Sequence, residues 1–228
     1  FYAPTIFEQS GVGTNAAFMQ ATYIGIINVV FTIIAMLTID RFGRKPLLLI
    51  GLFGVFVSMS VTAYGFHTAA YEMPVDRAAE FAEQFDAPEL ATIAGVTYAS
   101  DLEFKAAIID IIGRSALRAN ESALIEAAIQ MNPRIVLAGI LGFVASFAFS
   151  LGPVMWVLFS EIFPNRIRGI AMAVMGVVNS GVSTGVQFIF PWELANFGTA
   201  LTFLIYGAVS LVCLLLVAKL LPETRGRT

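Results

Sequence analysis

The apolar runs of this sequence contain few side chains suited to binding a polar ligand. Among them, a tryptophan and two asparagines favour stacking and hydrogen bonding. Trp156 follows a Gly-Pro pair, Gly152-Pro153, within a long apolar run. Two amides, Asn28 and Asn179, lie near the middle of two other apolar runs. The chain has one histidine and one cysteine, which excludes an internal disulfide and a cysteine-based metal site. We predict neither a metal nor a cofactor.

The run around Trp156 combines a weakened helix with a large amphipathic side chain. Because proline lacks a backbone N–H and its ring clashes with the preceding turn, Gly152 and Pro153 predict a helix break. The indole offers an apolar face and one N–H donor beside that break. Transporters build binding sites at broken helices in the membrane. This pattern therefore predicts a binding site near the break.

The two amides share a local pattern, Gly-apolar-apolar-Asn, at 25–28 and 176–179. For Asn28 alone, a hydrogen bond to a neighbouring helix and a contact with solute are equally supported. The pattern recurs at similar depth in two runs that cross in opposite directions, as in the inverted repeats of secondary transporters. We therefore expect both amides to face one cavity.

The elements that must position these groups are membrane helices. With 58% hydrophobic and 13% charged residues, the chain is more apolar than ordinary soluble domains. A span needs about 20 apolar residues. We expect residues 1–7 to end a further span whose start precedes this chain. Five stretches without Asp, Glu, Lys or Arg qualify as full spans: 16–39, 46–66, 135–160, 170–191 and 197–218.

The charged residues between the spans predict the orientation. Short loops rich in Lys and Arg remain in the cytoplasm. One side carries eight basic and three acidic residues, and the other carries five basic and thirteen acidic ones. The amino end is therefore expected outside and the carboxyl end in the cytoplasm. The predicted divisions are two membrane segments, 1–69 and 134–228, separated by an outer insertion at 70–133.

The insertion differs in composition from the rest of the chain, with eleven acidic and four basic residues. Ser100 and Glu103 fit a capping box that opens an amphipathic run to Leu117. A second helical run is predicted at 122–131. Charges within these runs make a membrane crossing unfavourable. The prediction is a small helical cap on the outer surface, and a solvated spacer is the alternative.

The loop at 40–46, DRFGRKP, is predicted to be a tight turn that takes part in a charge network. Gly43 lets two helix ends approach closely. The planar guanidinium of Arg44 can pair with a carboxylate through two hydrogen bonds. Glu161 and Glu223 are the other carboxylates on this side and are therefore the candidate partners. A plain positively charged anchor is the alternative.

Four segments together resemble the sugar porters of the major facilitator superfamily. The resemblance is to the C-terminal half of bacterial sugar–proton symporters and facilitative glucose transporters. It implies an all-α membrane protein with two six-helix bundles, of which this chain would supply five full helices and the end of a sixth. The segments are FYAPTIFEQ at 1–9, DRFGRKP at 40–46, GPVMWVLFSEIFPNRIRG at 152–169 and PETRGRT at 222–228.

The resemblance also implies roles for particular residues. Trp156 is similar in position to a tryptophan that packs on the sugar, and Asn28 and Asn179 are similar to amides that hydrogen-bond its hydroxyls. Tyr2 matches an aromatic that closes the outer side, and Phe147 matches an aromatic of the cavity wall. The implied cytoplasmic gate network consists of Asp40, Arg41, Arg44, Glu161, Arg168 and Glu223.

The predicted function is movement of a monosaccharide, a hexose or a pentose, across the cytoplasmic membrane by alternating access. The expected partners are the sugar, a proton, the N-terminal six-helix half and the lipid bilayer, with no nucleic acid. These residues do not distinguish proton symport from facilitated diffusion. The alternatives are a carrier of a polyol or organic acid, and a non-transporting sugar sensor. An enzyme is rejected because the spans lack a cluster of catalytic groups.

Overall fold

The computed structural model describes the backbone of residues 14–221 and the side chains of residues 22–221. Within these residues, five helical segments are long and apolar enough to cross a membrane. They agree with the five predicted spans. Tyr2 and Glu223, two of the predicted site residues, lie outside the described residues.

The described chain consists of eight α-helices, a short 3₁₀-helix and three short strands. A single residue, Gly43, separates α1 from α2, and a single residue, Ser150, separates α5 from α6. The elements in chain order are α1 (Thr14–Phe42), α2 (Arg44–His67), β1 (Ala70–Glu72), α3 (Val75–Gln84), the 3₁₀-helix (Pro88–Ile93), β2 (Thr97–Tyr98), α4 (Asp101–Ala128), β3 (Ile129–Gln130), α5 (Pro133–Phe149), α6 (Leu151–Ile162), α7 (Arg168–Phe197) and α8 (Thr199–Leu220).

Helix α2 lies at the centre of the bundle, packed against α5 on one side and α8 on the other. Its contact with α8 includes a stack of Phe66 on Phe203, with ring centroids 6.1 Å apart. The Ser210 hydroxyl donates a hydrogen bond to the Leu52 carbonyl at 2.9 Å. In contrast, α7 leaves most of its surface uncovered.

Small residues let α2 and α5 approach closely. A Cβ placed on Gly51 would lie 2.1 Å from Ser150 Cβ, and one placed on Gly139 would lie 2.2 Å from Thr62 Oγ1 and 3.1 Å from the Ser58 carbonyl oxygen. Membrane helices associate through this kind of close packing, because lipid supplies no hydrophobic drive between them.

We expect Gly139→Ala to destabilise the bundle, although alanine is the better helix former. The added methyl would meet the backbone of α2, and overpacking of this kind costs about 1–3 kcal/mol. Gly207→Ala is the matched control, since its methyl would meet α2 at 3.4 Å or more. Thermal unfolding of the two variants in detergent tests this expectation. A Gly139→Ala protein that melts with or above the Gly207→Ala protein would contradict it.

The insertion between α2 and α5 has a hydrophobic core of its own. Phe104 and Ile108 of α4 are fully buried there, together with Leu90 of the 3₁₀-helix. The prediction of helices in this segment is incomplete, because the three strands form a small antiparallel sheet in the order β2-β1-β3. Strands of two or three residues are too short to produce a readable alternation of apolar and polar positions.

The insertion is joined to the bundle by a buried carboxylate. The side chain of Asp101 accepts hydrogen bonds from the Thr199 amide and hydroxyl, both at 3.1 Å. Thr199 is the first residue of α8, so Asp101 supplies the cap and the negative charge that a helix N-terminus favours. Gly198 has φ 76°, and a Cβ there would lie 2.7 Å from Asp101 Oδ1. Only glycine fits that turn.

Candidate functional site

The long apolar segment 133–162 is interrupted at Ser150, which has φ −131° and ψ −85°. Helix α6 resumes at Leu151, so Pro153 occupies the first turn of the new helix. At that position its missing N–H has no intrahelical partner to lose. The interruption therefore lies two residues before Gly152-Pro153, on the side where a proline ring would clash with an unbroken helix.

Two aromatic side chains lie beside this interruption. The ring of Phe147 lies close to Gly152, where a Cβ would be 3.7 Å from its Cε1 atom. Trp156 is one turn further along α6 and is 37% exposed. Its indole meets the Phe159 ring edge to face, with centroids 6.3 Å apart. The indole is thus held on one side and leaves a face open for stacking against an apolar surface.

The two amides lie on exposed positions of α1 and α7. Among the described residues, neither Asn28 nor Asn179 has a hydrogen-bond partner. An amide in a membrane helix favours a neighbouring helix or a polar solute over lipid. Helix α1 packs on α5 and α6, whereas α7 packs mainly on α8. Their sharing of one cavity stays a prediction.

Charged side chains form a compact cluster at the end of the bundle that lies away from the insertion, where α1 ends and α2 begins. Arg44 Nε donates to both carboxylate oxygens of Glu161, at 2.9 and 3.1 Å. Asp40 approaches the same guanidinium at 3.3 Å. The side chains of Arg44 and Glu161 are each 13% exposed, whereas that of Asp40 is 81% exposed. Among the described side chains, the buried ion pair of this cluster therefore joins the start of α2 to the end of α6.

Gly43 makes this pair possible. It ends α1 and begins α2 with φ 89°, a conformation that favours glycine. The chain turns within one residue, so Arg44 enters α2 pointing toward α6. Arg168 is placed differently, since its Nε donates to the Phe163 carbonyl at 3.4 Å. Within the part of the chain that the structure describes, neither Arg168 nor Arg41 forms an ion pair.

Lys45 is a functional candidate that the sequence reasoning missed. Its ammonium donates to the Ala218 carbonyl at 2.8 Å, near the C-terminus of α8. A cation at a helix C-terminus satisfies free carbonyls and favours the negative end of the helix dipole. The adjacent Arg44 and Lys45 thus join the start of α2 to two different helices. The sequence could have indicated this role, because Lys45 directly follows Arg44 in the DRFGRKP motif.

A comparison with models of protein families shows which family this chain belongs to. The model described as "Sugar (and other) transporter" matches residues 1–78 and 109–228. The chain belongs to this sugar transporter family. It is therefore an integral membrane protein of a transporter family rather than of an enzyme family, as predicted. The family model leaves residues 79–108 unmatched, and these lie within the insertion.

Individual relatives match along the whole chain. The D-xylose-proton symporter of Escherichia coli strain K12 is 31% identical over 235 residues, covering 100% of this chain and 35% of that protein. The arabinose-proton symporter of Bacillus subtilis is 29% identical, covering 100% and 36%. The glucose facilitated diffusion protein of Zymomonas mobilis is 28% identical, covering 100% and 37%. The chain thus spans about a third of the length of these relatives.

Solved structures confirm the fold class. The crystal structure of a D-xylose-proton symporter matches with a TM-score of 0.66 at 30% identity, covering 100% of this chain and 39% of that one. An inward-open structure of the xylose transporter from E. coli matches with a TM-score of 0.60 at 28% identity, covering 99% and 38%. The predicted all-α membrane bundle of the major facilitator type is therefore correct.

Proposed function

We propose that this sugar transporter family chain forms the C-terminal half of a secondary transporter that moves a monosaccharide by alternating access. The observation that carries the proposal is the set of groups presented at mid-helix. Trp156 is partly exposed beside a helix interruption. The amides of Asn28 and Asn179, which have no partner among the described residues, lie on exposed positions of uncharged spans.

The chemistry of this set suits a sugar. A monosaccharide presents several hydroxyls and an apolar ring face, so its site needs amides and an aromatic surface rather than fixed charges. An organic anion would favour an Arg or Lys within the spans, and the five predicted spans contain none. Similar relatives are named for xylose, arabinose and glucose, which supports a pentose or hexose.

The uncovered helix surfaces support a second six-helix half. The most apolar stretch of helix α7 contains no buried residue, and large apolar side chains of α1 are also exposed. Such a half and the lipid bilayer would cover these faces. The charge distribution between the spans supports a cytoplasmic carboxyl end in the plasma membrane.

Alternating access requires contacts that form in one state and break in another. The Arg44–Glu161 pair, with Asp40 beside it, is placed to hold the cytoplasmic ends of α2 and α6 together. Its breakage would let the end of α6 move, and α6 carries Trp156. The symporter names of two relatives support proton coupling. The predicted spans here carry no carboxylate, so a proton-carrying group would belong to the other half.

Uptake measurements test this function. The complete carrier is expressed in cells without their own sugar porters, and entry of labelled xylose, arabinose and glucose is measured with and without a proton uncoupler. We expect saturable entry of at least one sugar that collapses with the uncoupler. Entry that is indifferent to the uncoupler would instead indicate facilitated diffusion. If no sugar enters while the protein reaches the membrane, the transport proposal fails. A non-transporting sugar sensor that uses the insertion is then the better hypothesis.

A further inference from the structure

Three of the four basic residues of the insertion line one cleft, although the insertion as a whole is strongly acidic. Lys105, Arg114 and Arg118 of α4 lie along this cleft. The fourth, Arg77, lies on α3 and pairs with Glu80 at 2.7 Å. The cleft therefore concentrates positive charge on a segment with eleven acidic residues.

Two interruptions of α4 bring these groups together. Gly113 has φ 81°, and Asn120 also departs from helical geometry. The ammonium of Lys105 lies 2.7 Å from Glu121 Oε1, whereas in a straight helix residues 16 positions apart would be separated by about 24 Å. The chain therefore reverses within α4, and Arg114 and Arg118 lie in the short segment between the interruptions.

The charges that line the cleft are unequally balanced. The Lys105 side chain is 7% exposed, and two carboxylates face it, Asp101 at 3.5 Å and Glu121 at 2.7 Å. Arg114 and Arg118 are exposed and four residues apart, a spacing at which like charges repel. Across the residues with described side chains, neither guanidinium has a hydrogen-bond or ion-pair partner. The two guanidiniums thus lack a described partner, and the three cations outnumber the two carboxylates by one.

The position of the cleft places it near the membrane surface. It has a volume of about 250 Å³, and Asn196, near the end of α7, lines its wall. The Asn196 amide donates to the Trp192 carbonyl at 2.7 Å. Trp192 is 57% exposed, and tryptophans at the ends of membrane helices lie at the headgroup level.

We propose that this cleft binds a phosphate group, either the headgroup phosphate of a phospholipid or a soluble phosphate. Guanidinium groups bind phosphate oxygens through paired, charge-assisted hydrogen bonds. Lys105 pairs with Glu121, which weakens the repulsion between this carboxylate and the ligand. The site lies outside the proposed sugar path and is independent of the transport proposal.

The test compares two variants of the complete carrier. Arg114→Gln/Arg118→Gln removes the two guanidiniums, and Arg77→Gln removes a cation of the same insertion outside the cleft. Binding of inorganic phosphate in an uncharged detergent is measured by calorimetry. Retention of phospholipid is measured by native mass spectrometry after reconstitution in vesicles of phosphatidylglycerol and phosphatidylcholine.

We expect the double variant to bind at least one probe about 10-fold or more weakly than the Arg77→Gln protein. Loss of phosphate binding assigns a soluble ligand, and loss of phospholipid retention alone assigns a headgroup. Equal binding of both probes by the two variants, or no binding by the unmodified protein, overturns the proposal. Should the double variant not fold, Arg114→Lys/Arg118→Lys replaces it. Its expected weaker binding supports the proposal, and unchanged binding rejects the paired guanidinium contacts.

Discussion

Replacing Trp156 with alanine is expected to lower sugar uptake by the complete carrier about 10-fold or more, mainly through a raised KM. The indole leaves one face open beside the helix interruption, and a neighbouring ring, Phe159, holds it in place. An aromatic contact contributes about 0.5–1.5 kcal/mol beyond its buried area, and 1.4 kcal/mol corresponds to a tenfold change in binding. Initial rates of labelled sugar uptake over a range of concentrations measure the effect.

The other tryptophan provides a matched control for this experiment. Trp192 lies near the far end of α7, where its indole contacts Phe197 with centroids 5.5 Å apart. Trp192→Ala removes the same side chain from a different and more exposed place, since Trp192 is 57% exposed and Trp156 is 37% exposed. We expect its KM to stay close to that of the unmodified carrier, and Trp156→Phe to fall between the two. If both alanine variants lose uptake equally, Trp156 has no special role in binding.

Reversing either charge of the Arg44–Glu161 pair is expected to abolish transport, and reversing both is expected to restore part of it. Both side chains are mostly buried, and hydrogen bonds from both Nε and Nη2 of Arg44 join it to the Glu161 carboxylate. Arg44→Glu or Glu161→Arg would place like charges in contact. Leaving one charge of such a buried pair uncompensated costs about 3–5 kcal/mol. Uptake rates and melting temperatures of the two single variants and the exchanged double variant measure the coupling.

The Arg77–Glu80 pair of the insertion is the control for this exchange. Its nitrogen and oxygen are 2.7 Å apart, but its side chains are 43% and 60% exposed. Exposed pairs contribute roughly 0–1 kcal/mol, so the reversal Arg77→Glu should change neither uptake nor melting temperature appreciably. Arg44→Lys adds a second comparison, because it keeps the charge without the planar fork. Equal effects in both pairs would show that burial does not determine the outcome.

The Asp101–Thr199 contact gives the insertion a mechanical connection to the bundle. Asp101 opens α4, and its carboxylate caps α8, which packs along α2. The start of α2 in turn holds Arg44. The insertion and the charge cluster therefore lie at opposite ends of the same helix pair.

The sequence by itself determined the class of protein and the location of its spans. Hydropathy is a local property, because every apolar segment of about 20 residues must satisfy its own backbone hydrogen bonds in lipid. The steric effect of Pro153 is also local, and it predicted the interruption to within a few residues. The motif at 40–46 predicted both the tight turn at Gly43 and the ability of Arg44 to pair with a carboxylate through more than one hydrogen bond.

Only the tertiary structure decided which groups meet. The sequence left Glu161 and Glu223 as candidate partners of Arg44, and Glu161 accepts its hydrogen bonds in the structure, whereas Glu223 lies outside the described residues. The reversal of α4, which joins Lys105 to Glu121, depends on φ angles and packing that no periodic pattern records. Such contacts link residues far apart in the chain, and their free energy depends on distance and burial. Those quantities exist only once the helices have packed.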